Sequence, residues 1–153
     1  MQGLAAIFDK RGRVADLLAA LESGEYMMRI ITEYEAEICD MNAVEQMYEQ
    51  GVNAAGERIM EYAPYSPITI EYKRAKGQPV NRVTLRDTGD FHASFYLTVE
   101  ADKFRIYAGD EKTARLVQKY GAGIFGLTPQ NIGVMLSEYV YPGLLEYAKE
   151  IRE

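Results

Sequence analysis

A chain of 153 residues, 48% hydrophobic and 26% charged, has the composition of a soluble globular protein and the length of a single domain that can bury roughly 70% of its unfolded surface. Its one cysteine excludes an internal disulfide or a cysteine-rich zinc site, and no apolar run reaches the length that a bilayer requires. The net charge of −6 argues against a free-standing nucleic-acid binder that works by neutralising phosphates. No signal-peptide pattern opens the sequence, so a cytoplasm, or a particle built there, is the expected location.

Val14 to Leu21 predicts a short helix stopped near Ser23-Gly24. Met27, Ile31, Tyr34, Ile38, Met41, Tyr48, Val52, Ala55, Ile59 and Tyr62 then step by threes and fours, which predicts one long helix from Glu25 to Tyr62. Such a helix would run about 57 Å, and the weak helix formers Asp40 and Asn42 mark the place for a break. Pro64 ends it, because the residue before a proline is pushed out of the helical region. Residues 64–81, rich in proline, read as a long and flexible loop with one helical turn around Ile68 to Lys73.

Phe91 to Val99 alternates apolar and polar residues and predicts a strand whose Phe91, Ala93, Phe95, Leu97 and Val99 face one way. A turn at Ala101-Asp102-Lys103 leads into Phe104, Ile106 and Ala108, so residues 91–109 form a hairpin with one dry face. Asp110 is placed to cap a helix from Glu111 to Tyr120. After the turn at Gly121, Gly123 and Gly126, Thr128-Pro129 opens a C-terminal helix to about Ile151, which Pro142-Gly143 must kink or split. The expected fold is α+β in a single domain over residues 1–153, a small antiparallel sheet packed against the long N-terminal helix and the C-terminal helix.

Chemistry is sparse. Asp87-Thr88-Gly89 has the letters of an aspartic-protease loop, but Arg86 and Asp90 on either side suit an exposed turn. His92 is the only histidine; with Asp87 and Asp90 it supplies too few ligands for a closed metal site and reads as solvent-facing on its strand. Cys39, within a helical stripe, reads as a buried and inert thiol. No catalytic, cofactor or metal residue is therefore assigned, and the chain reads as a non-enzyme.

Charge and tyrosine carry more information. From Glu25 to Gln50 seven acids, among them Glu33, Glu35 and Glu37, oppose Arg29 alone. From Glu71 to Arg86 five bases (Lys73, Arg74, Lys76, Arg82 and Arg86) oppose Glu71 alone. These blocks suggest head-to-tail contact, the acidic helix of one subunit meeting the basic segment of the next. Of the twelve tyrosines, Tyr34, Tyr48 and Tyr62 lie on the helical stripe and read as core. Tyr26, Tyr65, Tyr72, Tyr96 and Tyr107 fall off it and are the candidates for subunit contact.

The pieces from Ser66 to Leu127 stand in a particular order. A Pro-led segment and a basic patch precede Leu85-Arg86-Asp87-Thr88-Gly89. A hairpin follows, then Tyr107-Ala108-Gly109, a helix closed by Gly121, and a Gly-rich turn into Phe125-Gly126-Leu127. This order resembles the phage virion-morphogenesis and tail-completion proteins. Phe91 stands where that family favours Leu, and Ala122-Gly123-Ile124 replaces its Pro-Ala-Arg-Pro run. The resemblance implies a structural virion protein, assembled in the host cytoplasm, that acts in head–tail joining or tail completion as a homo-oligomeric ring. Its partners would be its own copies and other connector and tail proteins, with no membrane and no sequence-specific nucleic acid, although a ring leaves a passage for DNA. The alternatives are a small cytoplasmic protein-binding adaptor and, remotely, an aspartic-protease-like homodimer built through Asp87-Thr88-Gly89.

Overall fold

The computed structural model describes residues 24–152, together with residues 15, 16, 18, 19 and 22. The helix expected over Val14 to Leu21 lies in part outside them. The fold is α+β, with helices gathered around one two-stranded antiparallel sheet.

The long amphipathic stripe does form helix, though not in one piece. Helix α1 (Glu25–Glu33) gives way at Tyr34, whose φ of −102° and ψ of 26° leave the helical region, and α2 (Glu35–Asp40) follows. The chain continues as a wider π-helical segment, Met41–Gln50, where the sequence suggests a break. The expected helix to Tyr62 stops instead at Gly51. This residue takes φ 67°, and a Cβ on it would lie 2.8 Å from Cβ of Arg82, so only glycine fits. Asn53 then turns the chain, its Oδ1 accepting from the N–H groups of Ala55 and Glu57, before the single turn α3 (Ile59–Tyr62).

Half of the expected 64–81 loop is a nine-residue helix, α4 (Pro67–Ala75), longer than the one turn anticipated. Ser66 caps it by accepting from Thr69 N–H at 3.2 Å, and Pro67 occupies the first turn, where its missing N–H costs nothing. The following irregular stretch is anchored by Val83, Thr84 and Leu85, all buried.

The strand expected from Phe91 begins four residues late. Gly89, at φ 95°, starts a helical turn α5 (Asp90–Ala93), and strand β1 runs only over Phe95–Glu100. It pairs with β2 (Lys103–Ala108) in the register Phe95↔Ala108 through Glu100↔Lys103. Leu97, Ile106 and Ala108 are buried while Tyr96, Thr98, Arg105 and Tyr107 are exposed, so the dry face survives, although Val99 near the tip is open to solvent. On the outer edge of β1, Glu35 Oε2 accepts the N–H of Leu97 at 2.9 Å in place of a third strand.

Helix α6 (Thr113–Tyr120) starts two residues later than expected, because Asp110 accepts from Lys112 N–H in a local turn rather than capping the helix. A 3₁₀ turn over Ala122–Ile124 leads to α7 (Pro129–Met135), capped by Thr128 Oγ1 on Asn131 N–H as the sequence indicates. The C-terminal helical run expected to about Ile151 is not one regular α-helix. A π-helical segment, Leu136–Val140, follows α7 and passes with helical dihedrals at Tyr141 into α8 (Tyr141–Arg152).

Two apolar clusters result. One joins Met28, Ile30 and Ile31 of α1 and Ile38 and Cys39 of α2 to Leu97, Ile106, Met135 and Val140. The other gathers Met47, Ile59, Tyr65, Val83, Leu85, Phe91, Tyr120 and Ile124. Phe95 and Phe125 pack against both, with ring centroids 5.3 Å apart.

Candidate functional site

The π-helical segment turns two amides, Asn42 and Gln46, into the interior, each with no exposed surface. Both clamp the turn that follows α6. Asn42 Nδ2 donates to the Ile124 carbonyl and its Oδ1 accepts from Gly126 N–H, at 2.9 and 2.8 Å. Gln46 Nε2 donates to the Gly126 carbonyl, while its Oε1 accepts from Thr128 N–H and Asn131 Nδ2, each at 2.9 Å. Of the glycines in this turn, Gly126 takes φ 118°, and a Cβ on it would lie 3.3 Å from Cβ of Ala54. The clamp sets α7 beside the acidic helix, and an acidic groove opens between them.

That groove, about 460 Å³, is lined by Glu37, Asp40, Glu45 and Glu138, with Gln50, Gln130 and Tyr139 among its other walls and no base. Tyr139, stacked on Tyr34 with centroids 4.5 Å apart, registers the field: burial first, then the carboxylates of Glu138, Glu37 and Glu45, push its phenol above the ordinary range. The charges repel one another unless a cation or a cationic surface lies near.

A second concavity, about 340 Å³, lies between α4, the segment before α5, and α6. Lys73, Arg86, Lys112 and Arg115 line it, against Asp87 alone, and Tyr65, Phe91 and Tyr120 supply apolar walls. The two concavities share no residue and have opposite sign.

The residues singled out from sequence divide into those used inside the subunit and those left free. Lys73 is 7% exposed; its Nζ donates to the Arg86 carbonyl at 3.1 Å and to Gln78 Oε1 at 3.3 Å, and lies 5.1 Å from the Tyr65 ring centroid. Lys76 pairs with Asp87 at 2.8 Å. Arg82 donates to the Tyr48 carbonyl at 2.7 Å and lies over the Tyr48 ring. Glu35 is committed to Leu97. Tyr65, expected at a subunit contact, is buried, its hydroxyl accepting from Thr84 N–H at 2.9 Å, because the loop that carries it folds under α4. Tyr62, expected in the core, is 44% exposed, since the helix that would have buried it ends at Gly51. Arg74, Glu33 and Glu37 remain exposed, and Tyr72 is exposed with Lys76 Nζ 4.5 Å from its ring centroid.

Asp87 does not form a shared-proton pair in this chain. Hydrogen bonds from Lys76 and then Gln78 hold its carboxyl below the usual range, so it stays ionised. His92, expected at the surface, lies on the turn α5 rather than on a strand and packs beside Phe91 and Phe95. Its Nε2 is buried without a hydrogen-bond partner, and burial, aided by the Arg86 charge, lowers its pKa to about 4. Burial also pushes the Cys39 thiol up to about 11, which keeps it protonated and unreactive. Among the described residues no group of three or more His, Cys, Asp or Glu side chains could hold a metal ion, and no helix is long and apolar enough to cross a membrane.

Sequence reasoning missed Lys112, Arg115 and Glu138, which lie far along the chain from either charged block and join it only in three dimensions. It also missed the amide clamp. The available signal was the spacing of Asn42 and Gln46, four apart in an otherwise apolar helical run. Comparison with known protein families, with curated proteins and with solved structures finds no match to this chain.

Proposed function

We propose that this chain is a non-enzymatic structural protein of a phage particle or prophage, working in head–tail joining or tail completion as a homo-oligomeric ring within the virion. The observation that carries the reading is the pair of separate concave faces with opposite charge, which suits head-to-tail association of identical subunits. The order of motifs between Ser66 and Leu127 supplies the phage context. The charges not committed inside the subunit narrow the interface: Arg74 on the basic side, and Glu33 and Glu37 on the acidic side.

The test is oligomer mass by light scattering across a concentration series, with electron microscopy for closed rings. Arg74→Glu should reduce assembly while circular dichroism stays unchanged, because like charges meet only when subunits dock. Adding Glu33→Lys and Glu37→Lys should restore part of it. A wild type that stays monomeric at every concentration and in the presence of phage tail extracts sinks the ring. Unaltered assembly of the reversed variant sinks its electrostatic basis.

A further inference from the structure

Lys73 is the unusual group of the basic cleft. Burying an ammonium ion is costly unless an opposite charge compensates it. Yet among the described residues no carboxylate lies within ion-pair distance of Lys73, and both of its hydrogen bonds go to neutral oxygens. Asp87, the only acid in the cleft, already accepts from Lys76 and Gln78. Arg86 lies over the Tyr48 ring at 4.7 Å, and neither its guanidinium nor Lys112 or Arg115 forms an ion pair among the described residues.

We infer that the cleft bounded by Lys73, Arg86, Lys112 and Arg115 is a binding site for a phosphate-type oxyanion. A single carboxylate would leave most of this charge uncompensated, whereas a phosphate is multiply charged and offers several acceptor oxygens to residues that line the cleft from three parts of the chain. The ammonium of Lys73 has a third donor beyond its two hydrogen bonds, and it forms the floor of the site. Arg86 comes from the segment before α5, and Lys112 and Arg115 from the start of α6. The aromatic walls lower the local dielectric and strengthen each contact. The phosphate belongs either to a small ion or ester, or to a nucleic-acid backbone. The chemistry at the site is the same, and the assay separates the two sources. The site lies in the same basic concavity that the proposed head-to-tail association draws on, but phosphate binding is read on the subunit at low protein concentration, so its failure is distinct from a failure of ring formation.

The experiment is thermal unfolding of the full chain at low protein concentration in chloride, acetate or inorganic phosphate at equal ionic strength, with calorimetric titration of phosphate. Phosphate at ten times its dissociation constant should raise Tm by about 3–5 °C over chloride, and acetate should not. The double variant Lys112→Gln/Arg115→Gln, at one half-buried and one exposed position, should fold normally and lose phosphate affinity about tenfold or more, and Lys73→Met should lose it too. A single-stranded oligothymidylate that displaces phosphate and fails to bind the same variants assigns the site to nucleic-acid backbone; phosphate binding without oligonucleotide binding assigns it to a small phosphate. Equal shifts in phosphate and chloride, an equal effect of acetate, or phosphate binding that survives in the double variant each overturn the inference.

Discussion

Replacing Gln46 by leucine tests whether the amide clamp holds the fold together. The substitution keeps nearly the same volume but removes three hydrogen bonds, leaving the Gly126 carbonyl, the Thr128 N–H and one Asn131 donor without partners around a side chain that has no exposed surface. Each stranded group costs about 1–3 kcal/mol, partly offset by the apolar side chain, so a net loss of about 3–5 kcal/mol is expected. That is a large share of the 5–15 kcal/mol that ordinary domains possess. Urea unfolding followed by circular dichroism should show a lower midpoint with an unchanged m-value, and Gln118→Leu, on the exposed face of α6, should change little. Gln46→Glu sharpens the test. Its carboxylate can still accept from Thr128 and Asn131 but repels the Gly126 carbonyl, so the variant should lose less stability at a pH low enough to protonate it. A loss below about 1 kcal/mol for Gln46→Leu, or one matching Gln118→Leu, would refute the clamp.

The His92 imidazole must stay neutral to remain folded. Its folded pKa of about 4 lies below the unfolded 6.5, so the unfolded chain binds the extra proton between them and stability should fall by up to about 3 kcal/mol as pH drops through that window. His92→Phe should flatten this part of the pH profile of unfolding, and an unchanged slope would mean that another group governs it. Gly143→Ala would put a Cβ 2.7 Å from Cδ1 of Ile30; despite the better helix propensity, calorimetry should show a loss of about 1–3 kcal/mol, relieved in part by Ile30→Val. Phe95→Ala, at the junction of both clusters, should cost about 3–5 kcal/mol, whereas Thr98→Ala on the exposed face should cost less than about 0.5 kcal/mol. Similar losses for the two in urea titrations would mean that the faces of β1 are exchanged.

What could be read in advance was local. The hairpin from Phe95 to Ala108 follows from alternation over a dozen residues, and Thr128-Pro129 marks a helix start that the structure keeps. Ser66-Pro67 carries the same signal, obscured by the proline content around it. Val52, Ala55, Ile59 and Tyr62 continue the helical stripe in phase past Gly51, where the reason to stop is the approach of Arg82 from a distant part of the chain. The strand onset failed at Phe91 because a helical turn buries that residue as well as a strand would. In the candidate site, the two charged blocks were visible, but their internal uses were not. Nothing local tells Lys73 from Arg74, although one lies inside and the other in solvent. Asn42 and Gln46 find partners some 80 residues away, beyond the reach of any periodicity.

The two clusters mature at different moments of synthesis. Every residue of the cluster from Met47 to Ile124 precedes Met135 in the chain, so that part is complete in sequence before the other cluster receives its last residues. In the latter, Ile30 and Ile31, among the first of its residues to leave the ribosome, wait for Met135, Val140, Leu144 and Tyr147. At elongation rates of about 5–20 residues per second, the apolar face of α1 stays uncovered for several seconds. During that interval it is a natural target for a holdase, and copies on neighbouring ribosomes of one polysome have the same face open. A chain released short of Met135 should therefore show a protease-resistant centre with a sensitive helix α1.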